Sequence, residues 1–399
     1  MPLRRYLFAL VTLIAFTFFS CKEAPRNFDS NLLGPDQINL VSLDSYVSNL
    51  PQSSHSFKTV VKTGASSTLL LGNFTTHSGN TQGASLLLNF DYSTISDSNK
   101  SDLLNGNAAV IDSWIVFTKT YAFGDTNATQ INFGAYKINT PWTSVGFTSD
   151  SLNNNFSYGT DDLSMQKILA NDSTNIYKIH IKPAAVQDQI SNYANGIENN
   201  GLYLKPNLSG NTVWGFGAVL SSYPPAIAVV VNRVGVYTDT LYFNTSEDVS
   251  VLSGNIESSA QDFYLQSSLI GQAIISFDVS VIPSNAIINQ AKIILTVDQS
   301  NTVNGTVFTS NIASYNVADS ASKIIDTTSS EITINPVDSV TFEGDITSFV
   351  QKWVTKKNNQ GLLLTPLDGL TGLDLYAFKS SNSSNALQRP RLIILYTKK

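Results

Sequence analysis

Short apolar runs alternate along this chain with clusters of Ser, Thr, Asn, Gly and Asp, and two stretches break that rhythm with helical spacing. In Asp345-Ile-Thr-Ser-Phe-Val-Gln-Lys-Trp353 the apolar residues Ile346, Val350 and Trp353 fall at i, i+4 and i+7. That is one face of a short helix, whose start Thr347 or Asp345 can cap. The next residues, Asn358-Asn-Gln-Gly-Leu-Leu-Leu-Thr-Pro366, predict a turn at Asn359 and Gly361 and then a buried strand. Val186, Ile190 and Tyr193 repeat the helical spacing, and Asn199-Asn-Gly-Leu-Tyr-Leu-Lys-Pro206 repeats the turn and strand. The glycine follows the last aromatic by eight positions in both stretches, and the proline follows that glycine by five. Spacings held in register in this way predict an internal duplication.

The flanking runs have the length and composition of β-strands. In the first repeat they fall at 68–74, 84–91, 110–118, 131–138, 176–181, 202–204, 214–220 and 226–232. In the second they fall at 241–243, 262–265, 273–278, 291–298, 312–317, 339–343, 362–365, 374–379 and 391–397. Leu86 to Asp91 matches Ala273 to Asp278, Val110 to Phe117 matches Ile287 to Leu295, and Pro225 to Val231 matches Pro390 to Tyr396. The predicted fold class is all-β, with two tandem jelly-roll-like β-sandwiches, each carrying one short helix before an Asn-Gly turn. The first sandwich is placed at 56–233, with an insertion at about 140–175, and the second at 236–399.

The N-terminus has a different pattern. Arg4 and Arg5 precede an apolar run from Leu7 to Phe19, and Ser20 precedes Cys21, the one cysteine in the chain. This predicts a signal peptide over 1–20. A small residue directly before the cysteine resembles a bacterial lipobox, which implies lipidation at Cys21 and a membrane anchor. The departure is Phe18, where that motif usually has Leu. Cys21-Lys22-Glu23 also resembles, loosely, the surface-export signal of some Bacteroidota lipoproteins. Residues 21–55 read as a lipid-anchored tether with scattered prolines, and 38–43 as an early strand within it. The predicted location is the bacterial cell envelope, at the outer membrane and exposed on its surface.

Composition narrows the function. Charged residues make up 14% of the chain, the net charge is −6 and no Lys/Arg cluster occurs in the body, so nucleic acid is excluded as the expected partner. The three histidines, His55, His77 and His180, show no metal-ligand pair spacing. No Gly-x-Ser-x-Gly elbow or phosphate-binding glycine loop appears. Asp91, Asp161-Asp162 and Glu247-Asp248 could supply a carboxylate pair, but loop acids of this kind are common, and the chain is read as non-catalytic.

A family resemblance now comes into view. Ser276-Phe277-Asp278, the strand at 288–295, Asp345 to Trp353, Asn358 to Leu364, Phe378-Lys-Ser380 and Arg389 to Tyr396 occur in the order seen in DNRLRE-type domains. The resemblance covers most of 260–399. The first copy diverges, with Tyr193 for the Trp and Pro224-Pro225 for Arg-Pro, and the string that names the family is absent. That family is similar to carbohydrate-binding modules, so the resemblance implies β-sandwiches that bind a polysaccharide or glycan. Sugar recognition needs exposed aromatic faces flanked by amides and carboxylates. The candidates are Trp142, Tyr136, Tyr158 and Trp214 in the first repeat and Tyr315 and Tyr376 in the second. Trp142, behind Pro141 in a polar stretch, is the leading one, whereas Trp114 and Trp353 read as core. Asp91 and Asp278, at the ends of matching strands, are candidates to hold a structural Ca²⁺, with turn capping as the competing role and no other cofactor expected. The alternative function is a structural or assembly lipoprotein that binds another envelope protein.

Overall fold

The structure is a computed structural model that describes residues 39–398, apart from 61, 149–150, 153–154, 167, 171–173, 208–209, 270, 308–309 and 368. The predicted signal peptide, Cys21 and the first part of the predicted tether lie outside the described residues. None of the helices among the described residues is long and apolar enough to cross a membrane.

The chain is all-β. Its strands are β1 (Asn39–Asp44), β2 (Gln52–Lys58), β3 (Thr68–Thr75), β4 (Thr81–Phe90), β5 (Ala109–Gly124), β6 (Gln130–Lys137), β7 (Ile168–Ala170), β8 (Ile176–His180), β9 (Leu202–Pro206), β10 (Thr212–Gly217) and β11 (Ala226–Arg233). They continue with β12 (Tyr237–Ser253), β13 (Asp262–Gln266), β14 (Gly271–Phe277), β15 (Ile287–Thr296), β16 (Ile312–Asp319), β17 (Ile324–Ile325), β18 (Ile332–Pro336), β19 (Thr341–Asp345), β20 (Leu362–Pro366), β21 (Leu375–Lys379) and β22 (Arg391–Lys398). Three helices, α1 (Asp97–Leu104), α2 (Pro183–Ala194) and α3 (Thr347–Lys356), interrupt them. Each of two β-sandwiches encloses its own large apolar core.

The duplication holds to the level of strand register. Leu88 pairs with Leu202 and Leu86 with Leu204 in the first sandwich. Ile275 pairs with Leu362 and Ala273 with Leu364 in the second. Both copies carry a β-bulge at the matching place, beside Ile111 in the β5–β11 ladder and beside Asn289 in the β15–β22 ladder. The shared glycine has a steric cause. Gly201 and Gly361 adopt φ of 75° and 95°, and an added Cβ would lie 1.9 Å from the Leu88 carbonyl oxygen and 2.7 Å from that of Ile275. Asp345 ends β19 two residues before α3, and its carboxylate accepts the Thr347 amide at 2.9 Å, while the N-cap position itself is taken by Ile346, which makes no side-chain capping bond. Ile346, Val350 and Trp353 are buried as the spacing predicts, and the Trp353 indole donates to Asn316 Oδ1 at 2.7 Å. In the first copy Val186 and Ile190 are buried but Tyr193 is 39% exposed. There Tyr92 fills the space beneath α2, its hydroxyl donating to Gln189 at 2.7 Å.

The predicted domain limits change in one respect that alters the architecture. The strand before each repeat closes the other repeat's sandwich. β1 and the first part of β2, assigned to a tether over 21–55, and the end of β2, assigned to the first sandwich from 56, pair with β22 and β14 of the second sandwich. β12, assigned to the second domain from 236, pairs with β11 and then β4 of the first. The two roles are equivalent. β12 runs along β11 and then β4 just as β1 and β2 run along β22 and β14, the strands that match β11 and β4 in the duplication. Side chains follow the backbone: Phe243 lies in the first core with Tyr237 and Leu241 against it, and Val41 and Leu43 pack on the second. A bidentate ion pair from Arg391 to Asp44, with Nε at 3.0 Å from Oδ1, fixes β1 to β22.

Where the connecting segments cross, the sandwiches share a buried seam of Leu70, Phe123 and Leu252 from one side and Tyr264, Leu373 and Leu375 from the other. Tyr121 is its centre. The Tyr121 hydroxyl donates to Asp374 at 3.2 Å and accepts the Leu373 amide at 2.9 Å. Its ring occupies space that only glycine leaves open, since a Cβ on Gly305 or Gly372 would fall 2.2 Å or 2.8 Å from ring atoms. Gln82 and Gln266 exchange side-chain amide bonds of 2.9 and 2.7 Å across the same seam.

Two outcomes follow for stability. The chain unfolds in one calorimetric transition, and Asp44→Ala lowers the whole of it, by about 1–2 kcal/mol for a lost charge-assisted pair. A resolved second transition would show the sandwiches to be independent. The second outcome concerns Asp248 on β12, whose carboxylate accepts the Val219 amide at 2.6 Å and is pushed by burial up to about 6 from 3.8. The folded state therefore holds more protons than the unfolded state between those values, so stability is lost as pH rises through that window. Asp248→Asn keeps an acceptor for Val219 and removes the loss. The variant gains about 1–3 kcal/mol over wild type at pH 7 and little at pH 3.5, measured by chemical denaturation at both pH values.

Candidate functional site

On the outer face of the first sandwich, β6 and β9 present a different set of side chains from those they bury. Phe133, Ala135, Leu202 and Leu204 point into the core, while Asn132, Tyr136, Tyr203 and Lys205 point out. Gly134 lies between Asn132 and Tyr136 on that outer face, and its missing side chain lets the Tyr136 ring fold across the strand. A Cβ at Gly134 would sit 2.7 Å from the Tyr136 hydroxyl. A groove of about 450 Å³ opens there, lined by Asn132, Tyr136, Asp162, Lys205 and Asn207 among others.

The insertion at 140–175 is not a free polar excursion. Ile138, Trp142, Phe147, Leu152, Phe156 and Tyr158 pack on Leu87, Tyr203, Val249 and Val251 and make a second small core. Trp142 belongs to that layer. It is half-buried, its indole donates to the Asn200 carbonyl at 2.7 Å, and it meets Phe147 edge-on at 6.1 Å. Tyr158 bridges the layer to the groove, with its ring 5.4 Å from Tyr136 and its hydroxyl accepting from Lys205 at 3.0 Å. That hydrogen bond raises the Lys205 ammonium above its ordinary value. The groove thus offers a half-exposed aromatic rim, amides, one cation and one carboxylate.

Other predicted aromatics are placed elsewhere. Trp214 (0% exposed) and Tyr376 (2%) are buried, so neither can serve as a stacking face. Both sit on strands whose two faces are covered, Trp214 in the first core with Lys119 Nζ 3.9 Å from its ring, and Tyr376 in the second core. Tyr315 is the register equivalent of Tyr136, since Tyr136 pairs with Tyr203 and Tyr315 with Leu363. In the second copy it packs with Val317, Leu363 and Ile325, and burial, followed by the hydrogen bond that its hydroxyl donates to Glu331, pushes it up to about 12. Trp114, expected in the core, lies half-buried on the outer face of β5, beside His180 at 5.6 Å and under Lys178. Strand alternation could have revealed it, because Ile115 and Phe117 take the inward phase.

The acids have structural partners. Asp91 and Asp278, both exposed, close turns by accepting the amides of Ser93 at 2.8 Å and Ser280 at 2.9 Å. Asp161 pairs with Lys182, Asp162 accepts the Ala135 amide, and Glu247 accepts the Thr143 hydroxyl. Among the described residues no group of three or more His, Cys, Asp or Glu side chains could hold a metal ion.

No family model matches the sequence and no curated protein matches it. Among solved structures it is similar to a chain titled BspA_C_WT, at 9% identity over 83% of this chain and 90% of that one, with a TM-score of 0.19. A likeness at that score transfers neither fold nor function.

Proposed function

We propose that this chain is a non-catalytic, lipid-anchored envelope protein that binds a polysaccharide or glycan at the groove beside Tyr136. The observation that carries the reading is the groove's chemistry. An aromatic ring laid flat by Gly134 can stack on a pyranose face, and Asn132, Asn207, Asp162 and Lys205 surround it with groups suited to sugar hydroxyls. Asn132 Oδ1 is buried and accepts no hydrogen bond from any described residue, so a hydroxyl donor would satisfy it. The resemblance of 260–399 to DNRLRE-type domains, and of Cys21 and its leader to a lipobox, supports the same reading. Divergence between copies then has a role: the first keeps an open Tyr136, and the second ties Tyr315 to Glu331.

One observation favours a second reading, a structural or assembly lipoprotein that binds another envelope protein. Trp214 and Tyr376 are buried and Trp142 is committed to packing, which leaves fewer free aromatic faces than a glycan binder of two equivalent domains would show.

Native affinity electrophoresis of residues 22–399 against acidic and neutral polysaccharides separates the two. The expected result is retardation by at least one glycan, reduced tenfold or more in affinity by Tyr136→Ala and left nearly unchanged by Tyr315→Ala. Retardation by none, with a protein recovered by cross-linking, would support the assembly reading. In the full chain, Cys21→Ala is expected to move the protein from the membrane to the soluble fraction.

A further inference from the structure

A second polar cleft, unrelated to the Tyr136 groove, lies where the crossing segments meet. Its volume is about 470 Å³, and Ser54, Ser56 and Lys58 of β2 face the segment 255–260 and Asn382 across it. The strand exchange builds this cleft, because one wall is the N-terminal strand of one repeat and the other is the connector ahead of β13. Glu257 lines it. That side chain is 3% exposed, and its Oε2 atom is buried and accepts no hydrogen bond from any described residue.

A carboxylate in this position demands a donor, preferably a charged one. The lysines at this end of the sandwich already have contacts. Lys379 lies 2.9 Å from Asp262 and 2.5 Å from Asp298, and Lys58 donates to the Gly254 carbonyl at 2.8 Å. Asp262 and Asp298 share that one lysine, and Glu257 adds a third negative charge. The local field is registered by Tyr264, whose hydroxyl is raised by burial and then by the charges of Asp262, Glu257 and Asp298. A single buried carboxylate flanked by serine and asparagine side chains matches an organic cation that brings its own hydrogen-bond donors. Serine and asparagine side chains around Glu257 suit a carrier rich in hydroxyl groups.

We infer that this cleft binds a primary ammonium on a hydroxyl-rich carrier, as presented by an amino sugar, with Glu257 as the recognising carboxylate. The inference rests on the glycan reading for the carrier only; the demand for a cation comes from Glu257.

The test uses glucosamine, N-acetylglucosamine and glucose as probes, titrated against the full chain by calorimetry or ligand-observed NMR. Glucosamine is expected to bind at least tenfold more tightly than the other two. Glu257→Gln should abolish that preference, and Tyr136→Ala should leave it intact. Equal binding of the three sugars, or a preference that persists in Glu257→Gln, overturns the inference. Equal binding of N-acetyl-lysine methylamide overturns the choice of carrier. Loss of polysaccharide retention in Tyr136→Ala with no glucosamine preference in wild type would sink this site and keep the groove. Should Glu257→Gln fold poorly, the wild type still decides: its preference must disappear as the pH rises and the sugar amine loses its proton.

Discussion

A β-sheet edge exposes unpaired amides and carbonyls, and each sandwich here covers such an edge with a strand that precedes the other repeat in sequence. β12 covers β11 and β4, and β1 with β2 covers β22 and β14. The rest of the structure depends on this exchange. It places the two connectors at a common crossing and brings Tyr121 against Leu373 and Asp374. It also turns two repeats, each with its own core, into one interlocked body. The seam is sterically exacting, because the Tyr121 ring needs glycine at both 305 and 372. Hydrophobic contacts alone would let two sandwiches slide, whereas the paired glutamines and the Tyr121 bonds fix one orientation.

Duplication gave the two copies the same ladder, and substitution on the outer face gave them different surfaces. Tyr136 and Tyr315 occupy one register position. In the first copy the neighbour is Gly134 and the cross-strand partner region carries Lys205, so the ring lies beside an open groove. In the second copy Ala313 and Thr365 stand at those places, and the tyrosine hydroxyl is held by Glu331. Trp142, Phe147 and Phe156 of the insertion add the other difference, a packed aromatic layer beside Tyr158 and Tyr136. Local changes on a shared scaffold are enough to leave Tyr136 beside an open groove and to tie Tyr315 to Glu331.

Much of the fold was legible because its signals are local. Helical spacing at Ile346, Val350 and Trp353, the glycines at 201 and 361, and the matched apolar runs each report on a few neighbouring residues. The strand exchange was not legible, because strand alternation reports which face of a strand is buried and not which sheet edge the strand joins. The candidate residues for a stacking face were legible by type and not by exposure. Trp142, Trp214 and Tyr376 are aromatic residues of the right kind, but the insertion and the second sheet of each sandwich cover them. Trp114 was assigned to the wrong face for the opposite reason, an apolar run read without its two-residue phase.

The exchange can be tested by disulfide trapping in a chain that starts at residue 22. Ser42 pairs with Leu395 in the exchanged arrangement, and the equivalence of β11 with β22 gives Val230 as its partner in an unexchanged one. Under mild oxidation, Ser42→Cys with Leu395→Cys should close nearly completely, with the cross-link identified by mass spectrometry. Ser42→Cys with Val230→Cys should stay reduced. The reverse pattern would show that each repeat keeps its own first strand, and would remove the seam cleft and the single folding unit together.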